Sequence, residues 1–113
     1  MTHFEDLQAD AHQISKDNGF WDDTDPLDAN VIGLKLALIH SEISEALEEV
    51  RAGKHPTESY YTDGKLEGFP SELADIIIRV MDLAGALQIN LAETIKTKQT
   101  YNKTRSRKHG KQF

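Results

Sequence analysis

The chain contains no cysteine, a single tryptophan and three prolines in 113 residues, and aromatic side chains make up only 7% of it. Without a thiol there is no disulfide framework, no thiolate zinc site and no cysteine nucleophile. No apolar run approaches the roughly 20 residues needed to span a bilayer. The opening, Met1–Asp10, is acidic and lacks the apolar stretch of a signal peptide. These absences predict a soluble, cytoplasmic protein with no membrane partner. The length suits one domain of modest core, in the range where association between copies commonly supplies further burial.

Glycine and proline are sparse, helix formers dominate, and β-branched residues rarely alternate with polar ones, which predicts an all-α fold. Helices are expected over Thr2–Asn18, Asn30–Ala52, from Pro70 or Ser71 to Leu87, and from an Asn90 cap to about Thr104. Glu93 stands at the capping-box position relative to Asn90. Phe20–Ala29 and Lys54–Pro70 read as loops. Residues 1–104 are therefore expected to form a single all-α domain, a four-helix bundle completed by oligomerisation as a homodimer or homotetramer. Residues 105–113 form a basic C-terminal tail.

The net charge of −6 conceals an asymmetry. Residues 1–95 hold all 19 acids and 6 bases, for −13, whereas residues 96–113 hold 7 bases and no acid, for +7. The split suits two partners of opposite sign, a cation held by carboxylates and a phosphate held by the basic end. An acidic helical body with a solvated basic end has the same charge pattern. A body at −13 repels a long polyanion, so nucleic acid is not an expected partner, although Lys103–Lys111 alone has the charge to attract one.

The face on which the acids fall is informative. Residues three or four apart share a helical face. In the second helix Glu42, Glu45 and Glu49 lie on the stripe that also carries Val31, Lys35, Leu38, Ile39 and Ala46, where a surface helix would place apolar residues. In the third, Glu72, Asp75, Arg79 and Asp82 run through a surface otherwise formed by Leu73, Ile76, Ile77, Val80, Leu83 and Leu87. If the two stripes face each other, four or five carboxylates converge. Shared protons, pairing with Lys35 and Arg79, or a divalent cation would each relieve the repulsion. All-oxygen ligation selects a hard ion, Mg²⁺ or Mn²⁺. The five histidines show no paired spacing that would suggest zinc. Ordinary interhelical ion pairs at a dimer surface remain the competing reading.

The order Ser41-Glu42-Ile43-Ser44-Glu45, then Glu72-Leu73-Ala74-Asp75 after 26 intervening residues, resembles the ExxE…ExxD signature of MazG-like nucleotide pyrophosphohydrolases, members of the all-α NTP pyrophosphatase superfamily. Ile39-His40-Ser41-Glu42, Ile78-Arg79, Tyr101-Asn102-Lys103-Thr104-Arg105 and His109-Gly110-Lys111 resemble its small single-domain phage and bacterial branch, so the likeness covers roughly residues 18–111.

The resemblance implies that Glu42, Glu45, Glu72 and Asp75 are Mg²⁺ ligands, with Mn²⁺ able to substitute. It implies hydrolysis of a nucleoside triphosphate to the monophosphate and pyrophosphate by water attack at the α-phosphorus. Many relatives carry two adjacent glutamates at the first position, whereas Ser41 precedes Glu42 here. Glu45 or Glu49 is the expected proton acceptor. Lys98, Asn102 and Arg105 resemble the family's phosphate-contacting residues, and His109 and Lys111 are placed to close over the triphosphate. The base is expected near the first helix, stacked on Phe20-Trp21 and hydrogen-bonded by Asn18 and Lys35, although a lone tryptophan equally serves a core. The family favours deoxynucleotides, which leaves dGTP, dUTP and dCTP as expected substrates. The alternative is a non-catalytic helical module of the same fold that binds a nucleotide or a protein.

Overall fold

Side-chain caps and one proline set where three of the four helices begin. In the computed structural model, which describes residues 3–112, α1 (Phe4–Asp17) carries Glu5 and Asp6 in its first turn and Lys16 in its last, the signs that suit the helix dipole. Asp28 caps α2 (Ala29–Arg51) by accepting from the Asn30 N–H at 2.8 Å. Pro70 sits in the first turn of α3 (Phe69–Ala86), where a missing N–H costs nothing. Asn90 caps α4 (Leu91–Asn102) by accepting from the Glu93 N–H at 3.1 Å. The ends fall within two residues of those predicted.

The segment Lys54–Pro70 departs from the expectation of a loop. Tyr60–Thr62 (β1) and Lys65–Glu67 (β2) pair antiparallel, with Tyr60 opposite Glu67 and Thr62 opposite Lys65. Asp63 and Gly64, with φ of 52° and 82°, form the two-residue turn whose backbone twist matches that of the strands. The described residues are thus mostly helical with one small hairpin. The basic tail adds a single 3-10 turn over Arg107–Gly110.

Helix α3 is the centre of the fold, lying against both α1 and α2, with β2 beside it and α4 packed on α1. Gly85 permits the α1–α3 approach, because a Cβ there would stand 2.8 Å from the His12 Cβ. The buried apolar residues among those described are Ala46, Met81 and Ala84. Much apolar surface faces outward instead: Ile43, Leu47 and Val50 on α2 are each about half exposed. The radius of gyration is 16.5 Å, against about 13 Å for a compact chain of this length. Among the described residues no helix is long and apolar enough to cross a membrane.

Candidate metal centre and adjoining groove

Where α2 meets α3, carboxylates stand on helix faces whose periodicity would ordinarily place apolar residues. Glu42 and Glu45 lie one turn apart on α2 and Glu72 lies in the first turn of α3. Each contributes a carboxylate oxygen to a group in which all such atoms lie within 4.8 Å of one another. Glu42 is only 9% exposed, the one buried charged residue among those described.

Arg79 donates from Nε to Glu42 Oε1 at 2.8 Å, as its place on the stripe suggested. That is the single cation bonded to the group: among the described residues Glu45 and Glu72 have no ion-pair partner. Glu72 Oε2 is buried without any hydrogen-bond partner. Burial, and then the charges of Glu45, Asp75, Glu42 and Glu49, push the Glu72 carboxyl above its ordinary value. Asp75 is pushed up by burial and by Glu42, with Lys65 and Arg79 acting in the opposite direction.

The donor set fits a hard divalent ion. Ligand oxygens held at about 2.0–2.6 Å from such an ion lie at most about 4–5 Å apart, and carboxylates are its preferred partners. Three oxygens inside 4.8 Å, with a buried and unpaired oxygen on Glu72, meet that requirement after small side-chain adjustments. Ordinary ion pairing accounts for Glu42 and solvent exposure for Glu45, which leaves the buried Glu72 oxygen unexplained.

The remaining predicted residues divide. Asp75 lies beside the group, close enough for Glu42 to raise its carboxyl, but outside the set of three. Glu49 is drawn toward the hairpin, where the Tyr60 hydroxyl donates to its oxygens at 3.3 and 3.4 Å. Ser41 turns back on its own helix and donates to the Leu38 carbonyl at 2.6 Å.

A groove of about 470 Å³ lies between α1, α2 and α3, lined by Glu42, alone of the three acids, and by Asp75. Asn18, Lys35 and Phe20 line it. Trp21 plays another part than a free stacking face. Its ring carries the Lys35 Nζ at 4.3 Å from the centroid, and its Nε1 donates to Asp82 Oδ1 at 2.9 Å. Phe20, 63% exposed, supplies the open aromatic surface in its place. Lys35 also donates to the Phe20 carbonyl at 3.3 Å, so it neutralises none of the clustered acids directly.

Lys98, Asn102 and Arg105 are not brought to the acids within one protomer. Helix α4 packs on α1, and the groove is lined from α1, α2, α3 and the α1–α2 connection. The Arg105 guanidinium lies 5.6 Å from the centroid of the Tyr101 ring, and Asn102 donates to Gln99 at 3.5 Å. Lys111 is exposed. The His109 side chain lies outside the described residues.

Three residues at the site escaped the sequence reading. His12 approaches Asp82 Oδ1 with its Nδ1 at 2.8 Å. Lys65 and Tyr60 are brought to the acids by the hairpin, which the Asp63-Gly64 dipeptide between Tyr-rich and mixed segments would have signalled. Comparison with protein-family models, curated proteins and solved structures finds no match for the chain. Function therefore rests on the site itself.

Proposed function

We propose that the chain is a metal-dependent nucleoside triphosphate pyrophosphohydrolase of the MazG-like kind, converting a deoxynucleoside triphosphate to the monophosphate and pyrophosphate. The observation that carries this reading is the approach of Glu42, Glu45 and Glu72 oxygens to within 4.8 Å of one another, beside a groove of about 470 Å³ that Glu42 also lines. Mg²⁺ held by these three residues, with Asp75 beside them, would neutralise phosphate oxygens and acidify a bound water.

The protein's own groups supply the rest. Glu45 is exposed at the edge of the cluster and Glu49 lies one turn beyond it, so either carboxylate is accessible to a water proton. The water oxygen bonds to the α-phosphorus while the bond to the bridging oxygen breaks. Pyrophosphate leaves with that electron pair, and the proton goes to the carboxylate. Arg79 fixes Glu42 and keeps part of the cluster's charge in balance. Phe20, Asn18 and Lys35 hold the nucleoside in the groove.

The phosphate-binding cations belong to a second copy on this reading. The outward Ile43, Leu47 and Val50, the scarcity of buried apolar residues and the extended shape support a homodimer, or a homotetramer built from it, that completes the bundle. In that assembly the +7 end of one chain, with Lys98 and Arg105, meets the acidic body of the other.

Incubation with each deoxynucleoside triphosphate and Mg²⁺ tests the reaction. Monophosphate and pyrophosphate are the expected products, and turnover is lost in Glu42→Gln. Release of orthophosphate would contradict attack at the α-phosphorus. Tight nucleotide binding without turnover would point to a binding module instead.

A further inference from the structure

The far end of the groove holds an acid that the proposed hydrolysis does not use. Asp82 lies seven residues after Asp75 on α3, so the two share a face about 10 Å apart along the axis. Both line the same groove. That separation suits a nucleotide lying along the helix with its α-phosphate by Asp75 and the outer edge of its base by Asp82.

The Asp82 side chain is 14% exposed, and its contacts fall on one oxygen. The Trp21 Nε1–H donates to Oδ1 at 2.9 Å, and His12 Nδ1 meets the same atom at 2.8 Å. These contacts fix the orientation of the carboxylate. Among the described residues Oδ2 carries no hydrogen-bond partner. An ionised carboxylate accepts and does not donate. The same indole that bonds Asp82 carries the Lys35 ammonium over its face, so one ring positions both a cation and a carboxylate.

We propose that Asp82 selects the base, accepting from the adjacent N1–H and 2-amino donors of guanine while Lys35 donates to O6. This inference rests on the groove being the nucleotide site proposed above. Guanine is the common base with two neighbouring donors beside an acceptor. Uracil and thymine offer one donor flanked by two carbonyl oxygens, which a carboxylate repels. Adenine and cytosine offer one amino donor next to a ring acceptor. Phe20 provides the surface on which the base stacks.

The test compares kcat/KM for dGTP, dITP, dUTP and dCTP in the wild type and in Asp82→Asn. Wild type is expected to prefer dGTP by at least about tenfold over dITP, which lacks the 2-amino group, and by more over dUTP. Asp82→Asn keeps an acceptor for Trp21 and replaces the free oxygen with a donor, so the dGTP-to-dUTP ratio should fall at least about tenfold. A role confined to anchoring Trp21 and His12 would lower all substrates together and leave that ratio unchanged. Should Asp82→Asn not fold, calorimetry of dGMP against dIMP and dUMP on the wild type gives the same discrimination without catalysis. Equal turnover of dGTP and dUTP, or an unchanged ratio in the variant, overturns the role of Asp82 and leaves the pyrophosphohydrolase proposal standing. Failure to turn over or bind any of these nucleotides overturns both.

Discussion

Replacing Glu72 by glutamine separates the metal-site reading from ordinary packing, because it should make the metal-free protein more stable. Glu72 shares a cluster with Glu42 and Glu45 in which ligand oxygens lie within 4.8 Å, and its Oε2 is buried without a partner. Two unit charges at that distance repel by about 3.5 kcal/mol at an effective dielectric near 20 and by about 1 kcal/mol at that of water. Glu45 is exposed and Arg79 offsets part of Glu42, so both pairs belong toward the lower figure. A net gain of about 1–3 kcal/mol remains for the neutral amide, which can also donate to its neighbours. Each kcal/mol shifts the melting temperature of a domain this size by roughly 4 °C. The assay is thermal unfolding in a chelator and again in millimolar Mg²⁺. Glu72→Gln should melt above the wild type in the chelator, and the wild type alone should gain strongly from Mg²⁺, by about 2.7 kcal/mol at a hundred times its dissociation constant. A variant that melts lower in the chelator, joined to a wild type indifferent to Mg²⁺, would refute the reasoning.

The pH dependence follows from the same groups. Glu72 and Asp75 titrate above their ordinary values in the folded chain, so the folded state binds more protons than the unfolded one across that interval. Their contribution to metal-free stability is full below the ordinary carboxylate range and declines as pH rises through the folded values, and the Mg²⁺ increment should shrink on acidification; denaturant melts at several pH values check both trends. Arg79→Met removes the cation that, among the described residues, alone bonds the buried Glu42, and should cost about 1–3 kcal/mol in urea unfolding, with weakened activity. Gly85→Ala places a methyl 2.8 Å from the His12 Cβ, and the overpacking should cost about 1–3 kcal/mol despite alanine's better helix propensity. On the proposed assembly, Leu47→Lys puts a charge on the outward face of α2 and should lower the mass seen by sedimentation, taking turnover down with it.

The helices were legible because their signals are local. Asn90 is a cap within a few residues of what it caps, and Pro70 marks the start of α3 by its own geometry. The acidic centre was legible for a related reason: carboxylates at Glu42, Glu45 and Glu72 occupy positions where periodicity demands apolar residues. The placement of Lys98, Asn102 and Arg105 was not. A stripe on a helix states which residues share a face and says nothing about the helix it will meet, and the turn through Gln88, with φ of 57°, directs α4 onto α1. Trp21 shows the same limit. Its N–H reaches Asp82, 61 residues away, and no periodicity within either segment announces that bond.

The chain's thin interior and its candidate site have one physical origin. The α2–α3 contact holds Glu42 beside Ala46, and the acids displace apolar area that would otherwise stabilise the protomer. Ile43 and Leu47 each follow one of these two residues, about 100° further round the helix. The flank they form is exposed and borders the acids. A second copy seated there would restore the missing burial and bring another chain's basic end beside the carboxylates. On that view the assembly is part of the chemistry: an ion would balance the acids within one protomer, the neighbour's cations would hold the phosphates from outside, and a lone protomer has the carboxylates without those cations.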